Sequence, residues 1–129
     1  NETEKIGGLA IIASYVPQES SCGRVDFSDM AFPAAIVSGT LDGIINMTNW
    51  EHNHNLLPVD DTFRMDILGG NHGYFGDYDD SERESIFGSN DGVATIPASL
   101  QQDLTVLAIV HVVSRVGLPL PAQDDESTC

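Results

Sequence analysis

The chain has 129 residues, enough for one domain with a real core and too few for two. Twenty Asp and Glu against five Lys and Arg give a formal net charge of -15, which repels nucleic-acid backbones and anionic lipid surfaces alike. At 41% hydrophobic and 19% charged the composition is globular, and no run reaches the roughly 18 apolar residues of a membrane span, so neither nucleic acid nor membrane insertion is expected.

Asn1-Glu2-Thr3-Glu4 has neither the basic nor the apolar stretch of a signal segment. Asn1 and Asn46 head Asn-x-Ser/Thr sequons and are the glycosylation candidates, and Cys22 and Cys129 are the disulfide candidates. Together they point to a secreted or lumenal setting, the plain alternative being chance sequons and two unpaired thiols. The first structural element is the run Gly8 to Tyr15, apolar without polar alternation, which suits a strand covered on both faces. Gln18 to Met30 reads as loop, and Pro33 to Gly39 repeats the pattern as a second buried strand. Ile44 to Leu57 carries an uneven helical stripe stopped by Pro58, and Phe63 to Leu68 reads as a third strand closed by Gly69-Gly70. Strand, helix, strand makes a parallel crossover.

Asn71 to Thr95 is Gly-, Asp- and Ser-rich without period, a length of loop that tends to carry function. From Pro97 to Arg115 the residues Leu100, Leu104, Leu107, Ala108 and His111 share one helical face, and Gly117, Pro119 and Pro121 end the helix. The organisation expected is one domain over 1–117 and an acidic flexible tail over 118–129.

Two residues stand out by position. Asp42 follows the second strand in Gly39-Thr40-Leu41-Asp42-Gly43, and His72 follows the third in Gly69-Gly70-Asn71-His72. Loops at the C-terminal ends of parallel strands converge on a common crevice, so an acid and a histidine placed there can meet. The carboxylate would then hold the imidazole Nδ1 proton and leave Nε2 to take a proton from a nucleophile. An Asp in a Gly turn and a His in a Gly-rich loop satisfy the same spacing without chemistry.

Other constellations are weaker. His52 and His54 alternate within an expected helix, where the two positions diverge, so they read as polar surface rather than zinc ligands. Asp77 to Glu82 resembles the start of a calcium loop, but Glu82 stands where the turn requires Gly and Gly88 where the bidentate Glu should be. His111 on the apolar helix face reads as a core or interface histidine, and Trp50, Tyr74 and Phe75 are candidates to line a pocket whose default reading is packing.

Val37 to Gly43, followed by a helix, a strand and Gly69-Gly70-Asn71-His72-Gly73-Tyr74-Phe75-Gly76-Asp77-Tyr78, resembles the C-terminal half of an α/β-hydrolase fold. More narrowly it resembles the dienelactone-hydrolase-like branch. The likeness runs over roughly Gly8 to Arg115 and implies an α/β class with parallel strands and flanking helices, the three strands being the fold's sixth, seventh and eighth. It implies Asp42 as the acid and His72 as the base of a Ser-Asp-His triad, and it calls for no cofactor and no metal.

The departure from the pattern is as informative. A Gly-x-Ser-x-Gly elbow precedes the acid and histidine in that fold, and none occurs in this sequence. Ser14 lacks both flanking glycines, and Ser38 lacks the first. About half the fold is missing by length. The expectation is therefore a C-terminal chain of a two-piece serine-type ester or lactone hydrolase, partnered by a second polypeptide carrying the N-terminal half. The alternative is a non-catalytic half-hydrolase serving as a structural or interaction subunit of a larger complex, and either leaves one sheet edge to be covered.

Overall fold

The computed structural model describes residues 6–16 and 25–117. Asn1, Cys22, Cys129 and the tail 118–129 lie outside the described residues. The apolar runs form one sheet of β1 (Leu9–Ile12), β2 (Ala34–Gly39) and β3 (Thr62–Ile67), in that order and parallel throughout. Ile11 pairs with Ile36, and Val37 with Met65. All six residues of the central β2 are buried, as its unbroken apolar run requires.

Alternation along β2 divides the core into two layers. Ile36 packs with Ile11, Val16, Trp50 and Leu57 on one face, while Ala35 and Val37 pack with Ile67, Ala108 and Val112 on the other. The first face is covered by α1 (Met47–Asn53), the crossover helix between β2 and β3; the second is covered by α3 (Ala98–Arg115). β3 turns Phe63, Met65 and Ile67 to the α3 layer, and its Arg64 binds Glu51 of α1 at 2.7 Å with the guanidinium 4.3 Å above the Trp50 ring.

Several expected boundaries shift, each for a local reason. β1 stops at Ile12 rather than Tyr15 because Ala13 turns the chain out of the strand at φ 48°, a left-handed conformation costing about 1–2 kcal/mol for a residue with a Cβ. The helix expected over Ile44 to Leu57 is α1 followed by a 3₁₀ turn at His54–Leu56. It starts late because the Ile44 and Ile45 N–H groups donate to Asp42, and Asn46 caps the true start by accepting from the Asn49 N–H at 3.1 Å. That cap is the exposed sequon asparagine.

The long loop expected over Asn71 to Thr95 contains a helix, α2 (Asp80–Phe87), between short 3₁₀ turns. None of its residues is buried, so no periodicity marks it; the acidic cluster that looked like half a calcium loop holds its capping box, in which Asp79 and Glu82 each accept the other's backbone N–H. α3 has the expected extent, and Leu104 and Ala108 of the expected stripe do face the core, but the rest of that stripe does not. Gln101, Thr105, Ala108 and Val112 are buried, whereas Leu100, Leu107 and His111 are exposed, and the His111 ring tilts against Phe63 at 4.8 Å instead of joining the core. Among the described residues no helix is long and apolar enough to cross a membrane, and no three His, Cys, Asp or Glu gather into a metal-binding group.

Candidate active site

The C-terminal ends of β2 and β3 bring two loops into contact. Backbone bonds from Thr40 N–H to the Ile67 carbonyl and from Leu41 N–H to the Gly70 carbonyl carry the ladder past the strand ends. Gly39 has to be glycine, because a Cβ there would run into the Gly70 carbonyl. The Thr40 hydroxyl then accepts from the Gly69 N–H at 2.9 Å. An acid three residues beyond Gly39 and a histidine two beyond Gly70 are thereby placed side by side.

The Asp42 side chain is fully enclosed and both its oxygens are used. Oδ1 accepts from the Ile44 and Ile45 N–H groups at 2.8 and 3.0 Å, and Oδ2 lies 2.8 Å from His72 Nδ1. A carboxylate holding two backbone donors on one oxygen remains an acceptor on the other, so Nδ1 carries the proton and donates it, and Nε2 keeps a free lone pair. The His72 ring, 21% exposed, packs edge-on against Phe87 of α2 at 5.1 Å. It stands in the wall of a cavity of about 280 Å³ shared with Ala13, Phe75 and Tyr78. The positive φ of Ala13 is what directs the end of β1 into that wall.

The His72 loop is anchored from behind by α3. Gln101, wholly buried, accepts from the Asn71 N–H at 3.1 Å and donates to the Asn71 carbonyl at 2.7 Å, and the Asn71 side chain in turn accepts from the Tyr74 N–H. A model of the alpha/beta hydrolase family matches residues 1–84, a span that includes both Asp42 and His72. The chain belongs to the alpha/beta hydrolase family. No curated protein and no solved structure matches it. In this member of the family Ser38 is buried inside β2, and Ser14 follows directly on the Ala13 turn.

Two residues that order the Asp42–His72 pair carry little mark in the sequence. Gln101 lies in the polar stretch Gln101-Gln102-Asp103 of the first turns of α3, where nothing local sets it apart from a solvated residue. Asp91, in an Asn90-Asp91-Gly92 turn, accepts from the His72 and Gly73 N–H groups at 3.0 and 2.8 Å across eighteen or more positions of chain. An Asx turn can be read from such a tripeptide, but not the loop that it binds.

Proposed function

We propose that this chain supplies the base and its orienting acid, His72 and Asp42, to a serine-type hydrolase of carboxylic esters or lactones, of the dienelactone-hydrolase-like kind. A second polypeptide carries the nucleophilic serine and the oxyanion hole and lies beside β1. The observation that carries this reading is the 2.8 Å contact between Asp42 Oδ2 and His72 Nδ1 at the C-terminal edge of a parallel sheet. In the reaction Nε2 takes the proton of the serine hydroxyl as its oxygen attacks the substrate carbonyl, and returns it to the departing alkoxide. Water, deprotonated by the same nitrogen, then releases the acid and restores the serine.

Support for the position of the partner comes from the edge strands. Among the described residues β1 pairs on one side only, its residues Leu9-Ala10-Ile11-Ile12 carry no charge, and beside it runs an apolar cleft of about 540 Å³ reaching Val25 and Phe27. β3, the opposite edge, is charged at Arg64 and Asp66, as edges left in water are. Cys22 or Cys129 joins the two pieces in an oxidising, secreted or lumenal compartment.

The deciding experiment is intact-mass analysis of native material, with and without reduction, followed by reaction with a serine-directed phosphonate. The expected result is a second polypeptide with a Gly-x-Ser-x-Gly elbow that takes the label, with labelling lost in His72→Ala while the assembly persists. An assembly without any reactive serine would overturn the enzymatic reading and leave a structural subunit in its place.

A further inference from the structure

We propose that Asp91 is a positioning residue that clasps the acid loop to the histidine loop and so holds the His72 ring on Asp42. Its carboxylate receives four backbone N–H groups: Oδ1 accepts from His72 at 3.0 Å, Gly92 at 2.9 Å and Gly43 at 3.3 Å, and Oδ2 accepts from Gly73 at 2.8 Å. Gly43 follows Asp42 directly, and His72 and Gly73 are the base and its successor. One side chain from a third loop thus ties together the two backbones whose separation sets the Asp42–His72 hydrogen bond. A carboxylate suits this task, since an anion accepting several N–H groups makes stronger bonds than a neutral acceptor.

The loop that carries Asp91 is itself held in register. A Cβ on Gly43 would strike the Asn90 carbonyl, a Cβ on Gly92 would strike the Leu41 carbonyl, and the Asn71 amide donates to the Gly92 carbonyl at 2.9 Å. The backbones of the three loops therefore interlock closely, and a shift of one moves the others. Asp91 bonds the backbone of His72 rather than its ring and does not itself line the cavity, so its effect passes through His72. The catalytic consequence of the clasp rests on the function proposed above; the clasp itself does not.

The test is nitrogen-15 NMR of the imidazole in the full chain, comparing the wild type with Asp91→Asn, Asp91→Ala and, as a control, the core variant Ile36→Val. The wild type should show the single tautomer protonated on Nδ1, with a downfield Nδ1–H resonance. Asp91→Asn keeps an oxygen for three of the donors and loses the acceptor for Gly73, so the resonance should weaken. Asp91→Ala should lose it and mix the tautomers, whereas Ile36→Val should lower stability and leave it intact. An unchanged tautomer and resonance in Asp91→Ala would overturn the inference.

Should that variant fail to fold, amide exchange in the wild type decides. The His72 and Gly73 amides should exchange much more slowly than those of exposed loops, and exchange at loop rates would overturn the inference equally. With the serine-bearing partner present, Asp91→Asn should lower kcat and leave KM unchanged. Wild-type tautomer and clasp intact without any phosphonate-reactive partner would sink the hydrolase reading alone, and a reactive partner with an Asp91-independent His72 would sink the clasp alone.

Discussion

Asp42 has two sets of partners: Oδ1 ends the β2 loop by accepting from the Ile44 and Ile45 N–H groups, and Oδ2 faces His72. In Asp42→Asn the amide oxygen serves the two backbone donors, which turns the NH₂ group toward Nδ1 and forces the proton onto Nε2. The tautomer should therefore invert in the NMR spectrum of the isolated chain, and in the completed enzyme kcat should fall on the order of 10⁴-fold, as it does where a triad acid becomes an amide. Gln101→Leu tests the anchor behind the loop. It leaves the Asn71 N–H and carbonyl buried without partners, at about 1–3 kcal/mol each, so urea unfolding should show a loss of about 2–5 kcal/mol. Asp42 and His72 were legible because each sits just past a run of strand residues, where glycines tighten the turn. Asp91 and Gln101 were not, because their partners lie nineteen and thirty positions away and nothing in a local pattern records such a pairing.

At the scale of elements, the helices were legible in proportion to how much they bury one face. α2 buries none of its residues and is held by its cap, so a sequence read for apolar period passes over it. The cap also makes α2 sensitive to acid. Asp79 has its pKa lowered below the ordinary value of 3.8, chiefly by the Glu82 backbone N–H, with burial opposing. A lowered folded-state pKa contributes stability that is present above the ordinary aspartate value and lost as pH falls through the lowered one. Amide shifts from Ser81 to Glu84 should thus report a helical start that persists at neutral pH and frays in that acid range. In Asp79→Ala it should be frayed at every pH. α3 was legible in its extent and in Leu104 and Ala108, but Leu, Ile and Val lie on several of its sides, so period alone does not choose the whole inward face. The sheet chose small and hydrogen-bonding residues, with Ala108 allowing close approach to Ala35 and Val37 and Gln101 serving the histidine loop. Ala108→Leu should overpack that contact and lower stability by about 1–3 kcal/mol in thermal or urea melts.

For the whole molecule, the parallel order of the strands was readable from their unalternated apolar runs, which demand cover on both faces. The flank of α3 nearest β1 carries Ile109 and Val113 at helical spacing, with Val116 just past the end of the helix, and Val113 is 64% exposed. This flank is fixed as the β1 side because Val116 lies against Gly7 and Gly8, the residues leading into β1, whereas His111 and Arg115 lean toward β3 and the Asp61 before it. An uncharged strand edge and an apolar helix flank thus lie on the same border of the sheet, which the proposed partner would bury. Val113→Lys replaces a side chain that the isolated chain leaves in water, so its unfolding free energy should change by no more than about 0.5 kcal/mol. Assembly should respond differently, since a lysine buried there without a counter-charge is strongly disfavoured. Leu68→Lys supplies the comparison: Leu68 is 82% exposed but follows β3, on the far border, and should alter neither stability nor assembly. Sedimentation of the purified assembly should therefore show dissociation for Val113→Lys and an intact complex for Leu68→Lys. Equal behaviour of the two variants would mean that no partner covers the β1 border.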